Sequence, residues 1–560
     1  MAVKTKNTVG IIIRILWIGV VLAGIKTILT DFGADNAYTM AMSYRHLSGD
    51  RMFLEMWEPH QTSIFFTDAL MWVYGLIVPS FAGVAIYLQV CGTVFFAVIA
   101  CFLFREVREL AGEVPAHFAT IFFLVFRAKQ TVFPEFSNLQ IGFSMLVLLC
   151  LVNFFKEPKK YSRLIFAALF LCLEVLSYPS CVIAYVSVVI LLCMYTEKKF
   201  KNILIFTATT ATVGIAYALY FALRIGPKLF IECLKGVVDS DSHANTTLVG
   251  GFDYYRGTVY ALVWIAIAVV ITLAAGAVWK GILRKKFNAL TVFGAVFFTG
   301  NAIMIIGQRK TGIDWTCCFY IIPVVLMALG FFDLKNLSEK RRRFFVSGVL
   351  ISVASAIAAA MLTDLGIITS IAFLVLGGTV SFAAIKDLRE KALAGGTLIL
   401  MTVLFNRGIV VWGYGNQWDV WKVYEVERYI KGGPTKLLVT DYMTSKMDEV
   451  NIAEFKQYIG PDDKLLIVGD EWLFDPANFM FSDAEISNWS VIDTPFYNEE
   501  MLHYYEINPA KEPTVVAVKC WFGNLDISPD SFIMKWVEEG YEKVGDGSYF
   551  RFYRKAQNAE

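Results

Sequence analysis

Apolar windows of roughly twenty residues recur along this 560-residue chain, and about twenty helical residues are what crossing some 30 Å of hydrocarbon takes. A segment of that length must satisfy its own backbone polar groups inside lipid, so each window is read as a helix. The windows fall near 9–30, 81–104, 115–129, 139–155, 163–178, 180–195, 202–225, 256–279, 288–306, 315–333, 344–363, 367–385 and 393–413, about thirteen spans. Only 18% of the residues are charged and 57% are hydrophobic, against about a quarter charged in soluble chains, which excludes a soluble enzyme. A formal net charge of +1 supplies no field for a nucleic-acid partner. The first run, Val9 to Thr30, follows Lys4 and Lys6 as a signal peptide would. It is too long for a signal's apolar region and no small-x-small cleavage site follows it, so it is read as a retained helix.

Loop charge sets the expected orientation, because Lys and Arg gather on the cytoplasmic side. With the N-terminus inside, Arg105/Arg108, Lys156/Lys159/Lys160/Arg163, Lys198/Lys199/Lys201, Arg284/Lys285/Lys286, Lys340/Arg341/Arg342/Arg343 and Lys386/Arg389/Lys391 all fall on that side. The fold class expected is thus a polytopic α-helical membrane protein: residues 1–413 form the membrane domain, with a first outer loop at 31–80. Residues 414–560 form a soluble extracytoplasmic domain. In that tail Lys436–Thr440, Lys464–Gly469, Val515–Lys519, Tyr541–Lys543 and Tyr549–Tyr553 read as strands, and Asn451–Ile459 and Asp530–Gly540 as helices, an α/β pattern. It has no Gly-rich phosphate loop and no nucleophile elbow. Of ten cysteines only Cys233 and Cys520 fall in expected soluble segments, and no spacing suggests a zinc site or disulfide framework.

The chemistry concentrates in the first outer loop. Residues 36–48 carry Ala37, Met40, Ala41, Tyr44 and Leu47 at helical spacing, which predicts an interfacial helix on the bilayer with Asp35 as its N-cap. Glu58-Pro59-His60 follows, then a half-buried apolar stretch, Ile64–Ile77. Acids beside low-dielectric material are costly, and functional use is a frequent reason for keeping them. The bland alternatives are a capping role for Asp35, a helix-end role for Asp31, and solvated loop positions for Glu58 and His60.

The run Asp35-Asn36-Ala37-Tyr38, an amphipathic stretch, Gly49-Asp50 and Glu58-Pro59-His60 resembles the lipid-linked-sugar glycosyltransferases of the GT-C fold. Protein O-mannosyltransferases and the lipid A aminoarabinose transferase are the relatives it resembles most. The sequence departs from their pattern in having Asp35-Asn36 for an Asp-Glu pair and Pro59-His60-Gln61 for His-Pro-Pro. The resemblance implies transfer of a sugar from a polyprenyl-phosphate donor to an acceptor hydroxyl on the outer face of a membrane, most simply a bacterial plasma membrane. It makes Asp35 the general base, with inversion at the anomeric carbon, and Glu58 a second acid; the role of His60 stays open. The acceptor is a glycan, lipid or protein. No cofactor is implied, and related families differ on whether a divalent metal takes part.

An anionic lipid phosphate as leaving group calls for cations on the outer side, where the positive-inside bias makes any cation stand out. Arg127 and Lys129, Arg309 and Lys310 after Gln308, and Arg256 are the candidates, with Arg407 in the last helix. Guanidinium forks match phosphate oxygens; the alternative reading is snorkelling to lipid headgroups. Glu135 reads as a loop carboxylate or a further cavity acid. Competing functions are a polysaccharide or lipid transporter or flippase, and an oligosaccharide polymerase or ligase. No inverted repeat or matched pair of broken helices supports the transporter.

Overall fold

The computed structural model describes residues 2–58, 60–128, 130–238, scattered helical positions between 263 and 278, 289–311, 319–361, 370–385, 388, 393–412, 421–469, 480, 482, 484–487, 500–521, 524–525 and 527–556. Helices α1 (Ala2–Thr30), α2 (Ala34–Leu47), α3 (Phe65–Gly75), α4 (Val84–Ala111), α5 (Glu113–Val125), α6 (Phe136–Lys156), α7 (Tyr161–Ser177), α8 (Ala184–Tyr195), α9 (Lys199–Ile225) and α10 (Pro227–Val238) come first. Helices Ala289–Thr311, Ile322–Asp333, Glu339–Met361, Val375–Ala384 and Leu393–Ile409 follow. Every expected span overlaps a described helix or helical position, although 256–279 lies largely outside the described residues.

Among the described residues five helices are long and apolar enough to cross a membrane: Asn7–Thr30, Val84–Ala111, Phe136–Lys156, Lys199–Ile225 and Glu339–Met361. Two of them lie at the rim of the bundle, where α1 exposes Ile11, Ile15, Ile18 and Leu22 and α9 exposes Ile215, Leu219 and Leu223. Such stripes are stable against lipid and not against water. The protein is built as an integral membrane protein. Inside, aromatic rings fill the space between helices: Phe122 stacks on Phe126 at 5.1 Å and Phe126 on Phe319 at 4.8 Å. A polar seam interrupts this core. The Ser144 hydroxyl donates to Glu174 at 2.5 Å and faces Ser355 at 3.0 Å, while Gln140 donates to the Ser355 carbonyl.

The C-terminal residues form an α/β unit. Its sheet runs in the order Glu485–Ile486, Lys464–Val468, Val515–Trp521, Phe550–Lys555, Tyr541–Asp546, with Asn524–Leu525 paired on Val515–Trp521. The first three strands are parallel and the last two run antiparallel. The helix expected at Asn451–Ile459 is longer, Tyr442–Tyr458, because Asp441 caps it by accepting from the Thr444 N–H. The strand expected at Lys436–Thr440 shortens to Val439–Thr440, since Leu437 takes a positive φ of 75° and turns the chain. The unit packs directly on the loop that follows α2: Trp57 meets the Tyr504 ring edge-on at 5.3 Å.

Candidate functional site

Helix α2 carries Asp35, and it differs from the expected interfacial helix. Its N-cap is Gly33, in extended conformation, and Asp35 sits inside the first turn, so Asp35 is not the cap. The reason lies far off in the chain: the Phe32 N–H donates to the Trp412 carbonyl at 2.8 Å, which fixes the entry into the helix two residues early. Asn36 to Ser43 and Arg45 are all buried, so α2 is enclosed by protein, not laid on the bilayer. It ends at Leu47 with Ser48 as its C-cap, and the chain then turns at Gly49, whose φ of +119° lies in the left-handed region that glycine tolerates.

Residues three, four and seven apart share a helix face, which groups Asp35 with Tyr38, Met42 and Arg45. Along this face the Tyr38 ring meets Phe136 edge-on at 6.3 Å. His60 stacks flat on Phe136 at 4.0 Å and tilts against Tyr178 at 5.0 Å. Asp35, half-buried, lies close enough for its field to reach Tyr178. The solvated-loop reading of Glu58 and His60 is overturned, since their exposures are 0% and 6%. Glu58 is held by the Arg45 guanidinium through Oε1, while its Oε2 has no hydrogen-bond partner among the described residues. Arg45 also donates from Nε to Asp50 at 2.8 Å and from Nη2 to the Glu55 carbonyl at 2.6 Å. Burial pushes the Glu58 carboxyl up to about 7 against the pull of Arg45. Burial also opposes the charge on Arg45, but the fields of Glu58 and Asp50 together outweigh it and hold the guanidinium above its ordinary value.

A second polar group lies at the start of α2. Asp31, fully buried, accepts from Lys26 Nζ at 2.7 and 2.9 Å and from the Trp412 N–H at 3.1 Å. Its field reaches Arg407, and Arg407 in turn acts on Lys26 and Arg127. Arg127 is 0% exposed, which removes the snorkelling reading. It lies 3.6 Å above the Phe96 ring and donates from Nη1 to the Phe123 carbonyl at 2.6 Å. Arg127 Nε and Nη2 and Arg407 Nη1 and Nη2 find no partner among the described residues. Lys26 and Arg407 thus act on one carboxylate, and Arg127 lies within the field of Arg407, a buried surplus of positive charge. The segment after Arg127 is seated by close approach: a Cβ at Gly92 of α4 would collide with the Val132 carbonyl. Thr131 then reaches Asn36 at 3.5 Å, which joins this segment to the first turn of α2. Glu135 caps α6 by accepting from the Ser137 and Asn138 N–H groups at 2.7 and 2.9 Å, a structural role.

The chain is similar to an archaeal oligosaccharyltransferase. The Archaeoglobus fulgidus protein in its apo form shares 11% identity over 98% of this chain and 75% of that one, with a TM-score of 0.46. Its complex with zinc and sulfate shares 12% over 90% and 67%, with a TM-score of 0.45. ArnT from Cupriavidus metallidurans, solved with undecaprenyl phosphate, shares 10% over 98% of each chain, with a TM-score of 0.41. No protein-family model and no curated protein matches the chain.

Of the expected cations, Lys129 and Arg256 lie outside the described residues, as do the side chains of Arg309 and Lys310, whose backbone closes the helix Ala289–Thr311. Among the described residues no three His, Cys, Asp or Glu side chains come together as metal ligands. The carboxylates are committed elsewhere: Glu58 to Arg45, Asp31 to Lys26 and Glu135 to a helix end. Sequence reasoning passed over Lys26, Arg45 and Lys511, and took Asp50 only as the end of a motif. Arg45 alone carried a signal, its helical spacing from Asp35, Tyr38 and Met42.

Proposed function

We propose that this protein is a membrane glycosyltransferase that moves a sugar from a polyprenyl-phosphate donor to an acceptor hydroxyl at the outer face of the membrane. The observation that carries the reading is the pair of buried arginines beside the helix that bears Asp35: Arg127 Nε and Nη2 and Arg407 Nη1 and Nη2 lack partners among the described residues. A buried cation without a partner costs several kcal/mol, and a bound anion is what offsets such a cost.

In this reading the lipid phosphate lies against Arg127 and Arg407, with Arg309, Lys310, Lys129 and Arg256 as further candidates to hold it. The acceptor hydroxyl, held beside Asp35, approaches the anomeric carbon on the face opposite the phosphate. As the new C–O bond forms, Asp35 takes the hydroxyl proton; the bond from the anomeric carbon to the phosphate oxygen breaks and the phosphate leaves with the electron pair. Attack from the opposite side inverts the anomeric centre. The guanidiniums stabilise the charge that grows on the leaving oxygen. Glu58, with one oxygen unpartnered, orients a substrate hydroxyl, and His60 with Phe136 and Tyr178 walls the sugar. Residues 1–413 form the catalytic membrane domain and 414–560 the extracytoplasmic unit.

The test is transfer of radiolabelled sugar from synthetic polyprenyl-phosphate donors by the purified full-length chain, wild type beside Asp35→Asn. A positioned base contributes about 10²–10⁴ in rate, so the variant should lose that factor while remaining folded. Equal rates would remove Asp35 as the base. Failure of the wild type to transfer from any donor to any acceptor hydroxyl would sink the reading.

A further inference from the structure

Between the C-terminal unit and the first loop runs a line of four buried charges. Lys511, in the turn Pro509–Lys511, places Nζ on Asp50 Oδ1 and also meets Glu485 at 2.7 Å and the Ile486 carbonyl at 3.2 Å. The other oxygen of Asp50 accepts from Arg45 Nε at 2.8 Å, and Arg45 Nη1 reaches Glu58. The four side chains are between 0% and 6% exposed. We propose that Lys511 is a positioning residue for Glu58, so that the C-terminal unit sets the geometry of the first-loop acid through Asp50 and Arg45.

Adhesion alone does not require these charges. The same interface already has the Tyr504 hydroxyl donating to the Glu55 carbonyl at 2.8 Å, Asn508 donating to the Leu54 carbonyl at 2.8 Å and the Trp57–Tyr504 contact. Buried ion pairs seldom add net stability over apolar side chains of the same volume, and their best-attested use is fixing a register. Here the geometry shows how. Asp50 and Glu58 compete for one guanidinium. Lys511 occupies one oxygen of Asp50, which leaves the other for Arg45 Nε and directs Nη1 to Glu58. Without the ammonium, Asp50 takes more of Arg45 and Glu58 loses its anchor. The charged and titratable groups acting on Glu58 are Arg45, Asp50, Lys511 and, through its own ring, Tyr504; Lys511 favours the ionised carboxylate.

The proposal rests on the transferase reading only for its rate readout, so two measurements are paired. Hydrogen exchange of amides 50–58 is followed in the full-length protein for wild type, Lys511→Met, Lys511→Arg and Asp50→Asn, alongside the pH profile of sugar transfer. Lys511→Met should speed exchange in that segment about tenfold and leave the sheet of the C-terminal unit protected. It should also move the acid limb of transfer to higher pH, with Lys511→Arg restoring both. In an Asp50→Asn background, which severs the same line from the loop side, Lys511→Met should have no further effect. Exchange at 50–58 equal to wild type, or additive effects of the two substitutions, would overturn the proposal. A wild type that transfers no sugar would refute the transferase reading, and the exchange data would still decide the coupling.

Discussion

Replacing Arg127 with Met separates a phosphate-binding arginine from a structural one. In the unliganded protein Arg127 is fully buried, faces the repulsion of Arg407 and has two nitrogens without partners among the described residues. What it gains is a ring contact with Phe96 at 3.6 Å and the bond to the Phe123 carbonyl at 2.6 Å. A desolvated cation–ring contact is worth about 2 kcal/mol and a hydrogen bond about 1. Removing a buried charge that lacks a counterion relieves several kcal/mol. The balance predicts that Arg127→Met leaves the melting temperature unchanged or raises it. Binding of a polyprenyl-phosphate should move the other way. A hydrogen bond to a charged group is worth about 1.5–3 kcal/mol, so affinity should fall roughly ten- to 150-fold. Calorimetric titration of the purified protein with the lipid phosphate, beside a thermal melt, reads both quantities. A variant that melts several degrees lower and binds the lipid phosphate as tightly as wild type would refute the assignment.

Other expectations concern the same end of the bundle. Burial pushes the Glu58 carboxyl up to about 7, so it is protonated below that pH and ionised above it. Transfer that needs the carboxylate should fall about tenfold per pH unit below 7, and residual transfer by Glu58→Gln should lack that limb. Tyr504→Phe removes the donor to the Glu55 carbonyl, which still receives Arg45, so a thermal or denaturant melt should show a loss near the lower end of the 0.5–1.5 kcal/mol typical of one bond, about half a kcal/mol. Gly92→Ala drives a Cβ onto the Val132 carbonyl and should cost about 1–3 kcal/mol by the same measurement. It should also weaken lipid-phosphate binding, because the segment that carries Arg127 must shift.

The long helices were legible because their apolar windows match a membrane's thickness, and such windows depend on nothing distant. The strands at Lys464–Val468 and Val515–Trp521 were legible for the same local reason. The start of α2 was not. Gly33, not Asp35, became the cap because Phe32 pairs with Trp412, a contact that no local pattern encodes. Nor did the period of residues 36–48 foretell burial on nearly every face, since one apolar stripe is all an interfacial helix shows. Its other faces are polar and are covered by segments that arrive later in the chain. Arg127 and Arg407 stood out as cations on the side where cations are scarce; Arg407 lies within the field of Asp31 and Arg127 within that of Arg407. Lys511 gave no signal at all, being 461 residues from Asp50. Pairings of that kind are fixed by tertiary packing, and a single sequence does not record them.

The clasp between the C-terminal unit and the first loop has a consequence for how these residues can diverge. Tyr504 and Asn508 hold the loop by the main-chain carbonyls of Glu55 and Leu54. A carbonyl is the same whatever side chain follows it. Positions 54 and 55 can therefore drift between related chains while the clasp persists, as long as the new side chains fit the space. The line of charges has no such latitude. A change at Lys511 takes the partner from one oxygen of Asp50, and a change at Asp50 takes a partner from both Lys511 and Arg45. Related sequences should accordingly vary at 54 and 55 one residue at a time, and exchange 50 and 511 together.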